Sequence, residues 1–323
     1  MRAKIFFFSA IAAFIALNAW AVFAPYALEK STPAIALSAE QDLHAARGFG
    51  SESARVDSQI TLKIPAGQAD SVYQYLKGKY AGQGNILAGQ FPGLDLRGQD
   101  MSDVSIFTDS YYDTPDLVLF RSKNSARHRL RVNTTNPDDR KSGRELVQVK
   151  ITPPDRFVVR SELKYKVSSS YSWNQGSTGS HPPLWKIVAR GQREDFKKQF
   201  ADAGLDPLAL RHITTIRQSR SRVYINMGST NILSFSVDQG STSMLWAKGS
   251  FASVDIGLVE IAYTETGEEK RQLMWKIREA LIADLKQHFP GLVQNSDSKY
   301  GLVLEQLIRQ IPGLPRLLAY QLI

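Results

Sequence analysis

The chain has 323 residues, with 40 Lys and Arg against 31 Asp and Glu and a formal net charge of +9. Such an excess favours an anionic partner: nucleic acid, a phosphate-rich ligand or an acidic surface. A hydrophobic content of 43% with five Trp supplies a sizeable core and excludes general disorder, and the absence of Cys excludes thiol nucleophiles, zinc-thiolate centres and disulfides.

In chain order, Arg2 and Lys4 precede an apolar run from Ile5 to Ala24 that contains Ala19-Trp20-Ala21. This is the basic, apolar and small-residue sequence of a secretory signal; left uncleaved, the run approaches the ~20 apolar residues that span a bilayer. Residues 1–24 thus predict export to the periplasm or envelope, with membrane attachment only if the segment is retained. Residues 25–57, rich in Ala, Ser and mixed charge, read as a linker, and 58–310 as the folded domain. Ser58 to Ile64 alternates as a strand, Pro65-Ala66-Gly67 opens a helix through Tyr80, and Gly82, Gly84, Gly89, Gly93 and Gly98 mark a loop.

Strand signals then dominate: Val104 to Asp109, Val118 to Ser122, Ala126 to Asn133, Glu145 to Thr152 and Phe157 to Val167. Ser168 to Pro183 is a polar loop, and Leu184 to Ala203 has helical spacing ending at Gly204. Ile213 to Asn226, Ile232 to Gln239 and Phe251 to Thr264 read as strands. Helices follow from Glu268 to His288, stopped by Pro290-Gly291, and from Ser298 to Gln310. The apolar tail 311–323 could pack on the domain or meet a membrane or partner. Long antiparallel strands with inserted and C-terminal helices predict an α+β antiparallel β-barrel, and no dinucleotide fingerprint or Walker A loop occurs.

The phase of the charges is informative, because residues i and i+2 of a strand share a face. Arg127, Arg129 and Arg131 share one face, as do Arg160, Glu162, Lys164 and Lys166; Gln148 pairs with Lys150, Arg220 with Arg222, and Lys63 ends the first strand. A solvated sheet also alternates polar with apolar. It usually mixes its charges, however, whereas neighbouring Arg residues repel unless an anion is bound, and their planar forks match phosphate oxygens. Among carboxylates, Asp238, Glu260 and Glu162 lie on these strands, as ion-pair partners or as ligands for Mg²⁺ or Mn²⁺. The Arg residues follow strand and not helix spacing and no nucleic-acid motif is present, so nucleic acid is not the expected partner. His128, His181, His212 and His288 show no metal-ligand spacing.

Ser110-Tyr-Tyr-Asp-Thr-Pro-Asp-Leu-Val-Leu-Phe120, followed by Arg127-His-Arg-Leu-Arg131, resembles a segment of the CYTH-type triphosphate tunnel superfamily, in particular the polyphosphate-polymerase domain of the vacuolar transporter chaperone (VTC) group. Glu145 to Ile151, Arg160-Ser-Glu162, Arg217 to Arg222, Asp238, Glu260 and Ser298-Lys299-Tyr300 follow in the family's order. The resemblance implies a triphosphate tunnel in which Lys63, Arg129, Arg131, Lys150, Arg160, Arg220, Arg222 and Lys299 bind phosphate oxygens of polyphosphate, triphosphate or another polyanion. It assigns catalysis to Glu260, Lys150 and Lys299, and Mn²⁺ or Mg²⁺ to Glu260 with Glu162 or Asp238. The family's first-strand Glu-x-Glu-x-Lys reads Gln59-Ile-Thr61-Leu-Lys63 here, and its last-strand Glu-x-Glu reads Glu260-Ile-Ala262. Loss of these carboxylates implies a more positive tunnel with weaker metal binding, and leaves open either metal-assisted phosphoryl chemistry or a non-catalytic polyanion-binding module.

Overall fold

The computed structural model describes residues 54–81, 86–87, 89–132, 145–151, 159–169, 171, 181–259 and 267–320. The signal-like segment, most of the linker, Glu260 and residues 321–323 lie outside them. Among the described residues nine strands form one antiparallel sheet: β1 (Ala54–Lys63), β2 (Leu96–Asp113), β3 (Ser125–Val132), β4 (Glu145–Ile151), β5 (Val159–Lys166), β6 (Arg211–Met227), β7 (Thr230–Met244), β8 (Ala247–Leu258) and β9 (Val293–Asn295). The order is β5-β4-β3-β2-β6-β7-β8-β1-β9. Ala54 to Ser58 of β1 pair with β5, while Gln59 to Lys63 pair with β8, so the sheet returns on its first strand as a barrel.

Seven α-helices of the described residues accompany the sheet: α1 (Ala69–Tyr80), α2 (Val118–Arg121), α3 (Leu184–Ile187), α4 (Arg193–Asp202), α5 (Glu268–His288), α6 (Lys299–Gln310) and α7 (Leu314–Ala319). The apolar side chains of the strands face outward and are covered by helices. Val72, Leu76 and Tyr80 of α1 and Met274, Ile277 and Leu281 of α5 pack on Val223, Phe235, Val254 and Ile256. Leu184 and Ile187 of α3 and Phe196 and Phe200 of α4 cover Val147, Val149, Leu163 and Tyr165. Helix α6 buries Tyr300, Val303, Leu304 and Leu307 in a cluster with Tyr111, Ile213, Ile216 and Phe251. Leu314 and Leu318 of the C-terminal tail join this cluster as α7, so the tail packs on the domain.

Three expectations are corrected. Val118 to Ser122 is a helical turn and not a strand: the Asp113 carboxylate accepts the Leu119 and Phe120 amides at 2.8 and 2.9 Å, a local cap that outweighs the β-prone composition. The helix expected from Leu184 to Ala203 is broken after Ile187, where extended Val188 bridges Val167 and Arg193 donates to the Lys186 and Val188 carbonyls. Gly98, expected in a loop, lies inside β2, where a Cβ would fall 2.3 Å from the Tyr80 carbonyl oxygen; the glycine is needed for this close approach of backbones.

Candidate functional site

Because the outward faces are apolar, the alternate residues of strands β1–β8 point inward, where they enclose a cavity of about 430 Å³. Eight cations line it, Arg127, Arg129, Arg131, Lys150, Lys164, Arg220, Arg222 and Lys299, against three carboxylates, Glu162, Asp255 and Asp297. Register makes these residues direct neighbours: Tyr111, Arg127, Gln148 and Lys164 follow one another across β2–β5, and Arg222, Ser236, Asp255 and Thr61 across β6, β7, β8 and β1. Arg127 and Arg129 are 8% and 7% exposed, so they are not the solvated face of an open sheet.

Two carboxylates are buried behind this wall. Asp109 accepts from Arg129 Nε and Nη2, both at 2.6 Å, and from Arg127 Nη1 at 3.1 Å. Burial acts to raise its pKa, but the two guanidinium charges outweigh it and hold the carboxyl below the ordinary value. Asp238 accepts from Arg220 Nε and Nη2 at 2.6 and 2.7 Å and from Lys299 Nζ, and is likewise held low against the opposing effect of burial. Lys299 also donates to Asp255 at 2.8 Å, whose other oxygen accepts from Thr61 at 2.8 Å. Burial draws the Lys299 ammonium below its ordinary value despite these carboxylates. Arg131 and Arg222 are held differently: among the described residues their side-chain hydrogen bonds go to hydroxyls, from Arg131 to Ser105 at 2.9 Å, with the Phe107 ring centre 6.0 Å away, and from Arg222 to Ser236 at 3.2 Å and Tyr224 at 3.4 Å.

A divalent ion on a phosphate chain takes hard carboxylate oxygens. Glu162 receives Lys164 at 2.6 Å and Lys150 at 3.5 Å, and burial notwithstanding, these cations hold its pKa down to about 2. Asp238 would have to release Arg220 and Lys299 to bind a metal. The expected Mn²⁺ or Mg²⁺ site centres on Glu260, which lies outside the described residues; its expected helpers Glu162 and Asp238 are already held by cations, and among the described residues no group of three or more His, Asp or Glu could hold a metal.

No family model and no curated protein matches the sequence. Solved structures do resemble its chain course. An adenylyl cyclase candidate of Hippeastrum with a dominant triphosphatase activity has 12% identity and a TM-score of 0.43, over 78% of this chain and 95% of that one. A Pyrococcus horikoshii protein has 12% identity and a TM-score of 0.41, over 77% and 98%. An RNA triphosphatase of S. pombe has 9% identity and a TM-score of 0.36, over 80% and 97%.

Of the expected site residues, the structure brings Arg129, Arg131, Lys150, Glu162, Arg220, Arg222 and Lys299 to the cavity wall, with Asp238 behind it. Arg160 lies on β5 in phase with Glu162, its backbone opposite Asp57 of β1. Lys63 is a correction: β1 leaves the barrel at Ile64-Pro65, and exposed Lys63 lines a separate groove with Arg217 and Phe251. Arg127 and Lys164 belong to the cavity although the resemblance did not assign them; their alternation with Arg129 and Glu162 was the available signal. Asp109 and Asp255 carried no such signal. The conspicuous motif residue Asp113 is structural: it accepts from the Thr114, Leu119 and Phe120 amides and from Tyr300 at 3.1 Å, which ties α6 to the barrel.

Proposed function

We propose that the cavity binds a linear condensed phosphate, tripolyphosphate or the end of a polyphosphate chain, in a domain that works outside the cytoplasm. The observation that carries this reading is the wall of eight cations against three carboxylates on it and two, Asp109 and Asp238, behind it, with Arg131 and Arg222 hydrogen-bonded to hydroxyls and not to carboxylates among the described residues. Guanidinium groups converging from several strands match the oxygens of successive phosphates, and an enclosed site strengthens each such contact.

The aromatic faces in the cavity favour an inorganic chain over a nucleotide. Arg129, Arg220 and Arg131 lie 4.3, 5.5 and 6.0 Å from the Phe107 ring centre, and Tyr111 stacks on Tyr300 at 5.1 Å with Arg127 at 5.8 Å. These rings are engaged by the protein's own cations and by α6. Lys150 and Lys299 stand on the wall where the family resemblance puts catalytic cations, which supports a second reading as a phosphoanhydride-processing enzyme.

Titration of the chain with tripolyphosphate at low salt, followed by assays for released phosphate and chain extension, tests both. Saturable binding without product supports a binding module, product formation supports the enzyme, and no binding refutes both. The apolar run from Ile5 to Ala24 motivates the exported location. A periplasm-dependent reporter fused after residue 57 should be active, and an inactive but stably expressed fusion would refute export.

A further inference from the structure

We propose that the cavity takes its condensed phosphate free of divalent cations, so that Mg²⁺ weakens binding where a metal-dependent tunnel would need it. This rests on the anion-binding reading above and specifies the form of the ligand. Both oxygens of Asp109 are held by Arg129, and one also by Arg127. Both oxygens of Asp238 are held by Arg220, with Lys299 added to one. The oxygens of Asp255 accept from Thr61 and Lys299, those of Glu162 face Lys164 and Lys150, and Oδ1 of Asp297 faces Lys123 at 3.5 Å.

A divalent ion entering this wall would take oxygens from guanidinium and ammonium groups that are themselves largely buried, and leave those charges without a counter-ion. It would also be repelled by them. The cations have the opposite preference. Arg131 and Arg222, hydrogen-bonded to hydroxyls and not to carboxylates among the described residues, gain most from the full charge of bare phosphate oxygens, and a Mg²⁺-complexed chain has surrendered part of that charge before it arrives.

Isothermal titration of the full chain with inorganic tripolyphosphate, in EDTA and then in excess Mg²⁺ at matched ionic strength, tests the inference. The expected result is binding in EDTA that is tighter by on the order of tenfold than binding in Mg²⁺. Glu162→Gln and Glu260→Gln should both retain this Mg²⁺ penalty, and Glu162→Gln should bind more tightly in EDTA because it removes a negative charge that faces Lys164 and Lys150 on the wall. Thermal melts establish that both variants are folded. Equal affinity in the two buffers, or binding tightened by Mg²⁺ and returned to its EDTA value in either variant, would overturn the inference while leaving anion binding intact. Absence of heat in both buffers defeats the anion-binding reading itself.

Discussion

Asp238 and Arg222 lie one layer apart in the barrel, yet their removal should have different consequences. Asp238→Ala leaves buried Arg220 and Lys299 with Asp255 alone, at 3.9 and 2.8 Å, as their carboxylate; breaking a buried pair costs about 3–5 kcal/mol, and the lower end is expected here. A clear fall in the urea midpoint is expected. Arg131→Ala and Arg222→Ala remove cations whose hydrogen bonds among the described residues go to hydroxyls and not to carboxylates, so stability should change by about 1 kcal/mol or less, while tripolyphosphate affinity falls by on the order of tenfold. Comparing melts with titrations for these variants separates the cations that build the wall from those that serve a ligand. The alternation of Arg127, Arg129 and Arg131 is legible in the sequence, because side-chain direction in a strand has period two. That Asp109 lies under two of them is not, since it depends on the pairing register of β2 with β3.

Titration of the same residues gives a stability profile with a defined sign. Glu162 is depressed to about 2, so its contribution is fully present above the unfolded carboxylate pKa and is lost as pH falls from ~4.5 towards 2. Integrated over that window it amounts to roughly 3 kcal/mol. His212 adds to the loss from higher pH: burial, with His181 stacked at 3.7 Å, lowers its pKa to about 3. Below ~6.5 the unfolded chain therefore binds a proton that the native state refuses, and stability declines by at most ~1.4 kcal/mol per pH unit from this group. Urea midpoints measured from pH 7 to 3 should fall in both windows, and Glu162→Gln should flatten the lower one. An unchanged lower window in that variant would show that Glu162 is not held as described.

Among the elements, α6 carries Lys299 into the cavity and depends on a cap that belongs to another part of the chain. Asp113 accepts three backbone amides around α2 and the Tyr300 hydroxyl of α6 while wholly buried. Asp113→Ala leaves those donors without their acceptor, each at about 1–3 kcal/mol, and should destabilise the fold by at least ~3 kcal/mol. Tyr300→Phe loses one of the four bonds and keeps the ring stacked on Tyr111, so about 1 kcal/mol is expected. Urea melts of the two variants check the ranking; equal effects would contradict the cap. The same cap explains why composition misleads at α2: its sequence, Val118-Leu-Phe-Arg121, has strand character, and the decisive partner stands five residues upstream of Val118. The longer elements are legible where period and punctuation agree, as in α5, which ends just before Pro290-Gly291. The interruption between α3 and α4 is not, because it follows from the bridge of Val188 to Val167, a contact between distant segments.

The barrel as a whole reverses the usual disposition of a small β-protein, with apolar strand faces outward beneath helices and charged faces inward. Burial of Val147, Phe235, Val254 and their neighbours under α1, α3, α4 and α5 supplies the hydrophobic stabilisation, which leaves the interior to be specified by electrostatics. Such an interior repels itself wherever its cations exceed its carboxylates, so a polyanion that enters should stabilise the whole fold as well as bind. Ligand binding raises stability by RT ln(1 + [L]/Kd), about 2.7 kcal/mol at a hundredfold excess over Kd, and tripolyphosphate should therefore raise the melting temperature in a concentration-dependent way. The effect should also depend on salt. Screening shortens from ~10 Å at 0.1 M to ~3 Å at 1 M, so most of the thermal shift should disappear over that range if charge is the source of affinity. A shift of undiminished size at 1 M salt would mean that neutral hydrogen bonds, and not the eight cations of the wall, hold the ligand. Duplex nucleic acid provides the opposing case, since a cavity of about 430 Å³ cannot admit it. A comparable shift with duplex DNA would place anion binding on the outer surface and remove the reason for the inward-facing charges.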